Sequence, residues 1–114
     1  MKVAIIGSRT FNDYELVCKT IKELKLETMT HMVSGGAKGA DSLGERYAKE
    51  HNIPCIIYKP DWNTYGKSAG FVRNKDIINA CDIVIAFWDG KSKGTEHSIM
   101  LAKRNIKQVY IINF

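Results

Sequence analysis

The chain has 114 residues, a formal net charge of +5 and a hydrophobic fraction of 45%. This length fits one domain over residues 1–114, and the apolar content argues against intrinsic disorder. No apolar run approaches the roughly 20 residues that a membrane span requires, and the apolar start of the chain is too short for a signal peptide. We therefore expect a cytoplasmic protein with no membrane partner.

Five apolar segments alternate with segments of helical periodicity, which gives the order β-α-β-α-β-α-β-α-β. The strands are predicted at residues 2–6, 30–34, 55–58, 83–87 and 108–112. Because the strands are apolar at consecutive positions, both faces of the sheet should be buried, as in a parallel sheet covered by helices. Right-handed crossovers then predict an α/β, single Rossmann-like three-layer domain with strand order 3-2-1-4-5 and a switch point between strands 1 and 4.

Local signals predict where the helices begin and end. Asn12 and Glu15 have the spacing of a capping box at the start of the first helix, and Asn52 is expected as a left-handed C-cap after the second. A loop is expected over residues 59–67, followed by a third helix over residues 68–80. The fourth helix is expected over residues 96–104.

Three loops leave the carboxyl ends of strands and carry unusual residues. They are Gly7-Ser8-Arg9 after strand 1, residues 35–41 after strand 2, and residues 89–96 after strand 4, which include Asp89. In a doubly wound sheet, ligands bind beyond these ends at the switch point. The sequence therefore predicts that the three loops meet at one ligand site.

The loop after strand 2 contains Gly35, Gly36 and Gly39, but neither the dinucleotide fingerprint nor a Walker A pattern. Adjacent glycines let backbone amides approach a phosphate, and a helix N-terminus follows. We interpret this segment as a phosphate- or ribose-binding loop, with a tight packing turn as the alternative. Asp41, at the start of the helix, is either its N-cap or an acceptor for ribose hydroxyls.

The start of the fourth helix offers a second anion site. The amides of Gly94 and Thr95, with the Thr95 hydroxyl, could hold a phosphate at the positive end of the helix dipole, or Thr95 could simply cap the helix. Glu96 could bind a ribose or act as an acid or base, although a carboxylate in a first helical turn is also ordinary dipole chemistry.

Cationic and aromatic residues complete the predicted site. Arg9 lies at the switch point, where a guanidinium needs an anion, either a ligand or an aspartate. Arg73 and Asn74 lie in the third helix, and Arg73 is expected to contact the ligand, with an internal ion pair as the alternative. Trp62 could stack on a base, cap the core or lie in a dimer contact, and Lys67 follows it in the same loop.

These segments together resemble the YspA/YpsA-related branch of the SLOG superfamily. The resemblance rests on Gly7-Ser8-Arg9, Ser34-Gly35-Gly36 with Gly39-Ala40-Asp41, Asp61-Trp62, Tyr65-Gly66-Lys67, Arg73-Asn74 and Gly94-Thr95. It implies a Rossmann-like domain that binds nucleotides or nucleotide-derived ligands. The superfamily includes the Lonely guy phosphoribohydrolases and the DNA-processing protein A fold.

The resemblance to the phosphoribohydrolases is incomplete. Gly94-Thr95 matches the end of their glycine motif and Arg73 their upstream arginine, but Ser98 stands where they carry a glutamate. An oxocarbenium-like transition state needs a well-placed carboxylate, so Glu96 would have to serve with Arg73 as a tentative catalytic pair.

We therefore expect the domain to bind a nucleotide or an ADP-ribose-like molecule. The alternative is cleavage of the N-glycosidic bond of a nucleoside 5′-monophosphate. Nucleic-acid binding is disfavoured, because the lysines are scattered along the sequence with no clustered basic stripe. No cofactor is expected, and a homodimer is expected because relatives pair.

Overall fold

The computed structural model describes residues 1–114 and contains five strands and five α-helices. In chain order they are β1 (Lys2–Gly7), α1 (Tyr14–Glu23), β2 (His31–Ser34), α2 (Ala40–Glu50), β3 (Cys55–Ile57), α3 (Trp62–Tyr65), α4 (Ala69–Ala80), β4 (Ile83–Trp88), α5 (Lys93–Arg104) and β5 (Gln108–Asn113). One turn of 3-10 helix, Gly66–Ser68, joins α3 to α4. No helix has both the length and the apolarity that crossing a membrane would require.

The five strands form one parallel sheet in the order β3-β2-β1-β4-β5. The register pairs Val3 with Met32 on one side of β1 and with Ile83 on the other. The predicted Rossmann-like architecture and strand order are thereby confirmed, and the switch point lies between β1 and β4.

The core has two halves, one on each face of the sheet, because successive side chains of a strand point to opposite faces. Val3 and Ile5 pack with residues of α1 and α2, whereas Ala4 and Ile6 pack with residues of α4 and α5. This alternation explains why β1 has no polar residue between Val3 and Ile6: both of its faces are covered.

Two glycines bring α2 against the end of β1. A Cβ at Gly44 would lie 2.9 Å from Cβ of Ile5, and a Cβ at Gly7 would lie 2.8 Å from Cβ of Ala40, the first residue of α2. The close approach places the first turn of α2 beside the carboxyl end of the central strands, where the three predicted loops meet.

Several predicted boundaries are shifted. The loop expected over residues 59–67 contains α3, whose first turn is capped by Asp61. Helix α5 begins at Lys93, three residues before the predicted start, and Ser92 is its cap. Asn52 has a φ of +55°, which confirms the left-handed position predicted after α2.

The cap of α1 is also shifted by one residue. The Oδ1 atom of Asp13 accepts a hydrogen bond from the Leu16 amide at 3.1 Å, and Asn12 makes no such bond. We expect Asp13→Ala to lower the free energy of unfolding by about 1 kcal/mol, and Asn12→Ala to change it by less than about 0.5 kcal/mol. Urea unfolding of both variants checks this, and equal losses would contradict the assignment.

Candidate ligand-binding cleft

An open cleft of ≈ 550 Å³ lies at the carboxyl edge of the sheet. It is formed by the loops after β1 and β2, by the α3 region, and by the first turns of α4 and α5. Its residues, which define the cleft, are Arg9, Gly35, Gly36, Ala37, Lys38, Pro60, Trp62, Lys67, Gly70, Phe71, Arg73, Asn74, Lys93 and Gly94. The predicted convergence of segments that are distant in the sequence is therefore present in the fold.

The lining of the cleft carries positive charge only. Five of its residues are basic, namely Arg9, Lys38, Lys67, Arg73 and Lys93, and none is acidic. The ion pairs of the chain, Lys19 with Glu23 and Arg46 with Glu50, involve none of the five. The lysines are scattered along the sequence without a basic stripe, but the fold gathers five cations from five separate segments at this one edge of the sheet.

A smaller pocket of ≈ 100 Å³ adjoins the cleft at the end of β1. This inner pocket shares Arg9, Ala37, Arg73, Asn74 and Gly94 with the cleft, and is completed by Ile6, Gly7, Asp41, Ile77, Ser92, Thr95 and Ser98. Asp41 is the one carboxylate in its lining. The two spaces therefore differ in charge: the cleft lining holds cations alone, whereas the inner pocket combines Asp41 with the shared arginines Arg9 and Arg73.

Asp41 ties the glycine loop to α2 and is not an N-cap. It lies within the first turn of α2, and its Oδ2 atom accepts hydrogen bonds from the amides of Gly35 at 3.1 Å and Ala37 at 3.4 Å. Burial raises the pKa of Asp41 to about 6, although these amides and the nearby Arg73 act in the opposite direction. The loop conformation thus depends on a carboxyl group that titrates close to neutral pH.

Arg73 lies at the junction of the cleft and the inner pocket. Its Nη1 atom donates to the carbonyl oxygen of Gly35 at 2.7 Å, and its Nε atom donates to Oδ1 of Asn74 at 3.1 Å. The Nη2 atom donates to no protein group, and no carboxylate lies within 4.0 Å of the guanidinium. The ion pair considered as an alternative does not form, so one face of a half-buried guanidinium is available to an anion.

Gly35 lies between these two charged groups. A Cβ at this position would be 2.8 Å from Nη1 of Arg73 and 2.8 Å from Oδ2 of Asp41. The absence of a side chain therefore allows the carboxylate to reach the amide of Gly35 and the guanidinium to reach its carbonyl oxygen.

Four predicted ligand residues, namely Gly39 at the cap of α2 and three residues with polar side chains, shape the loops instead of lining either space. Ser8 accepts from the Asp89 amide at 3.2 Å, and Ser34 donates to Glu45 at 2.7 Å and accepts from the Gly36 amide. Asp89 accepts from the amides of Lys91 and Ser92, and these bonds lower the pKa of its carboxyl group. Their hydrogen bonds hold the loops after β1, β2 and β4 in place.

The first turn of α5 divides its predicted residues between two surfaces. Gly94 lines both spaces, and Thr95 lines the inner pocket, where its hydroxyl lies 3.0 Å from the hydroxyl of the cap, Ser92. Glu96 instead lines a separate groove with Trp88, Ile99, Met100, Lys103, Arg104 and Ile111. The carboxylate required by the hydrolytic alternative therefore lies outside the cleft, which corrects the placement of Glu96 beside Arg73.

Two exposed aromatic rings border the cleft. Trp62 is 58% exposed at the start of α3, and Phe71 is 55% exposed in α4. The ring of Phe71 packs edge-on against His97, with ring centroids 4.6 Å apart, and His97 lies 3.2 Å from the side-chain amide of Asn74. The rings are therefore held beside the cations, as a base-stacking surface would be.

Comparison with known proteins identifies the family. The model of the YspA, cpYpsA-related SLOG family matches residues 1–65, which is more than half of the chain. The chain belongs to this SLOG family. Gene 61 protein of Mycobacterium phage D29 is 32% identical over 122 residues, which cover 99% of this chain and 95% of the phage protein.

Two solved structures share the fold of this SLOG chain. DNA processing protein A (DprA) of Streptococcus pneumoniae superposes with a TM-score of 0.82 at 22% identity, and DprA of Helicobacter pylori with a TM-score of 0.74 at 23% identity. The matches cover 99% and 97% of this chain, but 50% and 64% of the respective DprA chains. The chain thus spans about half to two-thirds of the DprA proteins it resembles.

Sequence reasoning missed six residues of the SLOG cleft: the charged or aromatic Lys38, Lys93 and Phe71, and the small residues Ala37, Pro60 and Gly70. Lys38 lies between Gly36 and Gly39, and Lys93 directly precedes Gly94, so both lysines adjoin the glycines that were singled out. A cation next to a glycine at a helix start was the available signal. Phe71 carried none, because an aromatic residue two positions before Arg73 is equally typical of a core face.

Proposed function

We propose that this SLOG domain binds a nucleotide or nucleotide-derived molecule in the cleft. The observation that carries the proposal is the charge of the lining, where five cations occur without a carboxylate. Such a surface is costly to assemble unless a polyanion neutralises it, and phosphate groups are its natural complement. The unpaired Nη2 atom of Arg73 would serve one phosphate, and Lys38, Lys67 and Lys93 the others.

The shape of the cleft supports a small molecule. Its volume of ≈ 550 Å³ is within the range of ligand pockets, roughly 300–1,000 Å³. Trp62 and Phe71 offer apolar faces at its rim, where a base could stack while the phosphates face the cations.

A panel of nucleoside mono-, di- and triphosphates and ADP-ribose tests the proposal by thermal shift. At about 100 times the dissociation constant, a ligand stabilises the fold by about 2.7 kcal/mol, which raises the melting temperature by several degrees. If no member of the panel raises the melting temperature at millimolar concentration, the proposal fails.

A pair of charge-matched variants locates the site. One double variant, Arg9→Ala with Lys93→Ala, removes two cations from the cleft. The other, Lys103→Ala with Arg104→Ala, removes two cations from the separate groove, on the helix that also carries Lys93. We expect the first double variant to bind roughly 10- to 100-fold more weakly, and the second to bind like the wild type. Equal weakening by both would indicate a general charge effect and contradict the assigned site.

Single-stranded DNA is a second candidate ligand. DprA of Helicobacter pylori, which shares the fold of this chain, is described as having a unique single-stranded DNA binding mode. The clustered cations and exposed rings of the cleft are also compatible with a strand whose bases stack on aromatic residues.

The salt dependence of binding separates the two candidates. For single-stranded DNA, the logarithm of the binding constant falls against the logarithm of the salt concentration with a slope of about −0.7 for each phosphate neutralised. A strand that makes several phosphate contacts therefore loses affinity steeply as salt is added. We expect fluorescence anisotropy with a labelled oligodeoxynucleotide to show weak binding that a nucleotide displaces. Tight binding that no nucleotide displaces would instead favour the DNA candidate.

A further inference from the structure

The inner pocket contains two buried polar groups that the protein leaves without partners. Asp41 is 6% exposed, and both amides that it accepts from bind its Oδ2 atom, so Oδ1 has no partner. Ser98 is 4% exposed, and its hydroxyl makes no side-chain hydrogen bond. His31 Nδ1 is the one side-chain nitrogen or oxygen that has neither solvent-accessible surface nor a hydrogen-bond partner. Because Oδ1 of Asp41 and the hydroxyl of Ser98 also lack partners, both atoms must retain accessible surface. Both atoms are therefore accessible from the pocket that their residues line.

The two atoms come from different helices. Asp41 lies at the start of α2, and Ser98 lies one turn into α5, beyond the Thr95–Ser92 hydroxyl pair. An ionised Oδ1 accepts hydrogen bonds only, whereas the serine hydroxyl can donate or accept. The pocket is thus built for a group with hydroxyls that can donate to a carboxylate.

Charge and size narrow the chemistry of that group. Arg9 and Arg73 line both spaces, but Asp41 opposes a phosphate next to its Oδ1 atom, and the three lysines that suit phosphates line the cleft alone. The volume of ≈ 100 Å³ holds roughly three water molecules, a space comparable to the hydroxyl-bearing edge of a pentose.

We propose that the inner pocket binds the ribose hydroxyls of a ribonucleotide, with Oδ1 of Asp41 accepting from one hydroxyl and Ser98 bonding the other. The phosphates and the base then occupy the cleft, so this inference rests on the proposed function. It names the ligand class as ribonucleotides in preference to nucleotides that lack the diol.

The test compares ribonucleotides with their 2′,3′-dideoxy counterparts. The mono-, di- and triphosphates of adenosine, guanosine and cytidine are each titrated beside the dideoxy form by isothermal calorimetry. We expect the dideoxy form to bind roughly 10- to 100-fold more weakly, because it leaves a buried carboxylate unpaired. If both forms bind equally, this inference fails and the proposed function stands; if neither form binds and ADP-ribose does not bind either, both fail.

Two variants assign the discrimination to these residues. Asp41→Asn keeps an oxygen for the Gly35 and Ala37 amides but turns the free acceptor into a donor, so the ratio of the two affinities should fall towards one. Glu50→Gln is the matched control, since it makes the same change at the far end of the same helix, outside both spaces, and should keep the full ratio.

Ser98→Ala removes a single hydroxyl and gives the same readout if Asp41→Asn does not fold. It should reduce the discrimination several-fold. An unchanged ratio in both Asp41→Asn and Ser98→Ala would place the ribose elsewhere and overturn the inference.

Discussion

Replacing Gly39 by alanine is expected to lower the free energy of unfolding by more than about 4 kcal/mol. Gly39 precedes α2 with φ of 78° and ψ of −126°, a conformation that glycine adopts far more readily than other residues. A Cβ there would overlap the carbonyl oxygen of Ser8 and lie 2.6 Å from that of Arg9. Because both atoms belong to the backbone after β1, relief requires the switch point itself to move. Urea unfolding measures the loss.

Gly90→Ala is the matched control for this change. Gly90 also has a positive φ, of 80°, but a Cβ there would meet no atom within 4 Å. Gly90→Ala should lower the free energy of unfolding by about 1 kcal/mol, which is the penalty for a non-glycine residue at a positive φ alone. A similar loss in both variants would mean that backbone conformation, not the contact with Ser8 and Arg9, determines the effect at Gly39.

The fold was predictable because its signals are local and repeated. The uninterrupted apolar run of β1 indicated burial on both faces, and the strict alternation of strand and helix then left few topologies. Boundaries were less predictable, because adjacent residues compete for the same role. Asn12 and Asp13 are both good caps, as are Ser92 and Thr95, and the direction in which the chain enters the helix decides between them.

The site was predictable as a meeting of loops, but not in the direction of each side chain. Because α5 begins three residues early, Thr95 and Ser98 face the inner pocket, and Glu96 falls on the helix face with Met100 and Lys103. Arg9, Lys67 and Arg73 were predicted at the site, but the contribution of Lys38 and Lys93 to the same cluster was not. Arg9, Lys38, Lys67 and Lys93 lie far apart in the sequence, and only the switch point of the sheet brings them together.

The stability of the ligand-free protein should fall as pH rises from about 4 to about 6, through the contribution of Asp41. Burial raises the pKa of this carboxyl from 3.8 to about 6, so the folded protein binds its proton more tightly than the unfolded chain does. The stabilising contribution is complete below pH 3.8 and is lost as pH rises through 6. A shift of about two pKa units corresponds to roughly 3 kcal/mol.

Asp41→Asn isolates this contribution, since an amide does not titrate and every other carboxyl group is common to both proteins. The difference in free energy of unfolding between variant and wild type should move by roughly 3 kcal/mol in favour of the variant between pH 4 and pH 7. A difference that is independent of pH would contradict the raised pKa. Glu45 raises and Arg73 lowers the pKa of Asp41, so Glu45→Gln should move the transition to lower pH.

The same titration predicts how ligand binding depends on pH. A ribose hydroxyl donates to the ionised form of Asp41, so a bound ribonucleotide favours deprotonation and lowers the pKa of the carboxyl. The ratio of the affinity for the ribonucleotide to that for the dideoxy form should therefore rise as pH increases through about 6. The second ionisation of the phosphate, also at about pH 6, is common to both forms and cancels in this ratio. The ionised carboxylate of Asp41 destabilises the ligand-free protein because it is buried. A bound ribose hydroxyl would stabilise the same carboxylate, so sugar binding would offset part of the unfavourable free energy of burying it.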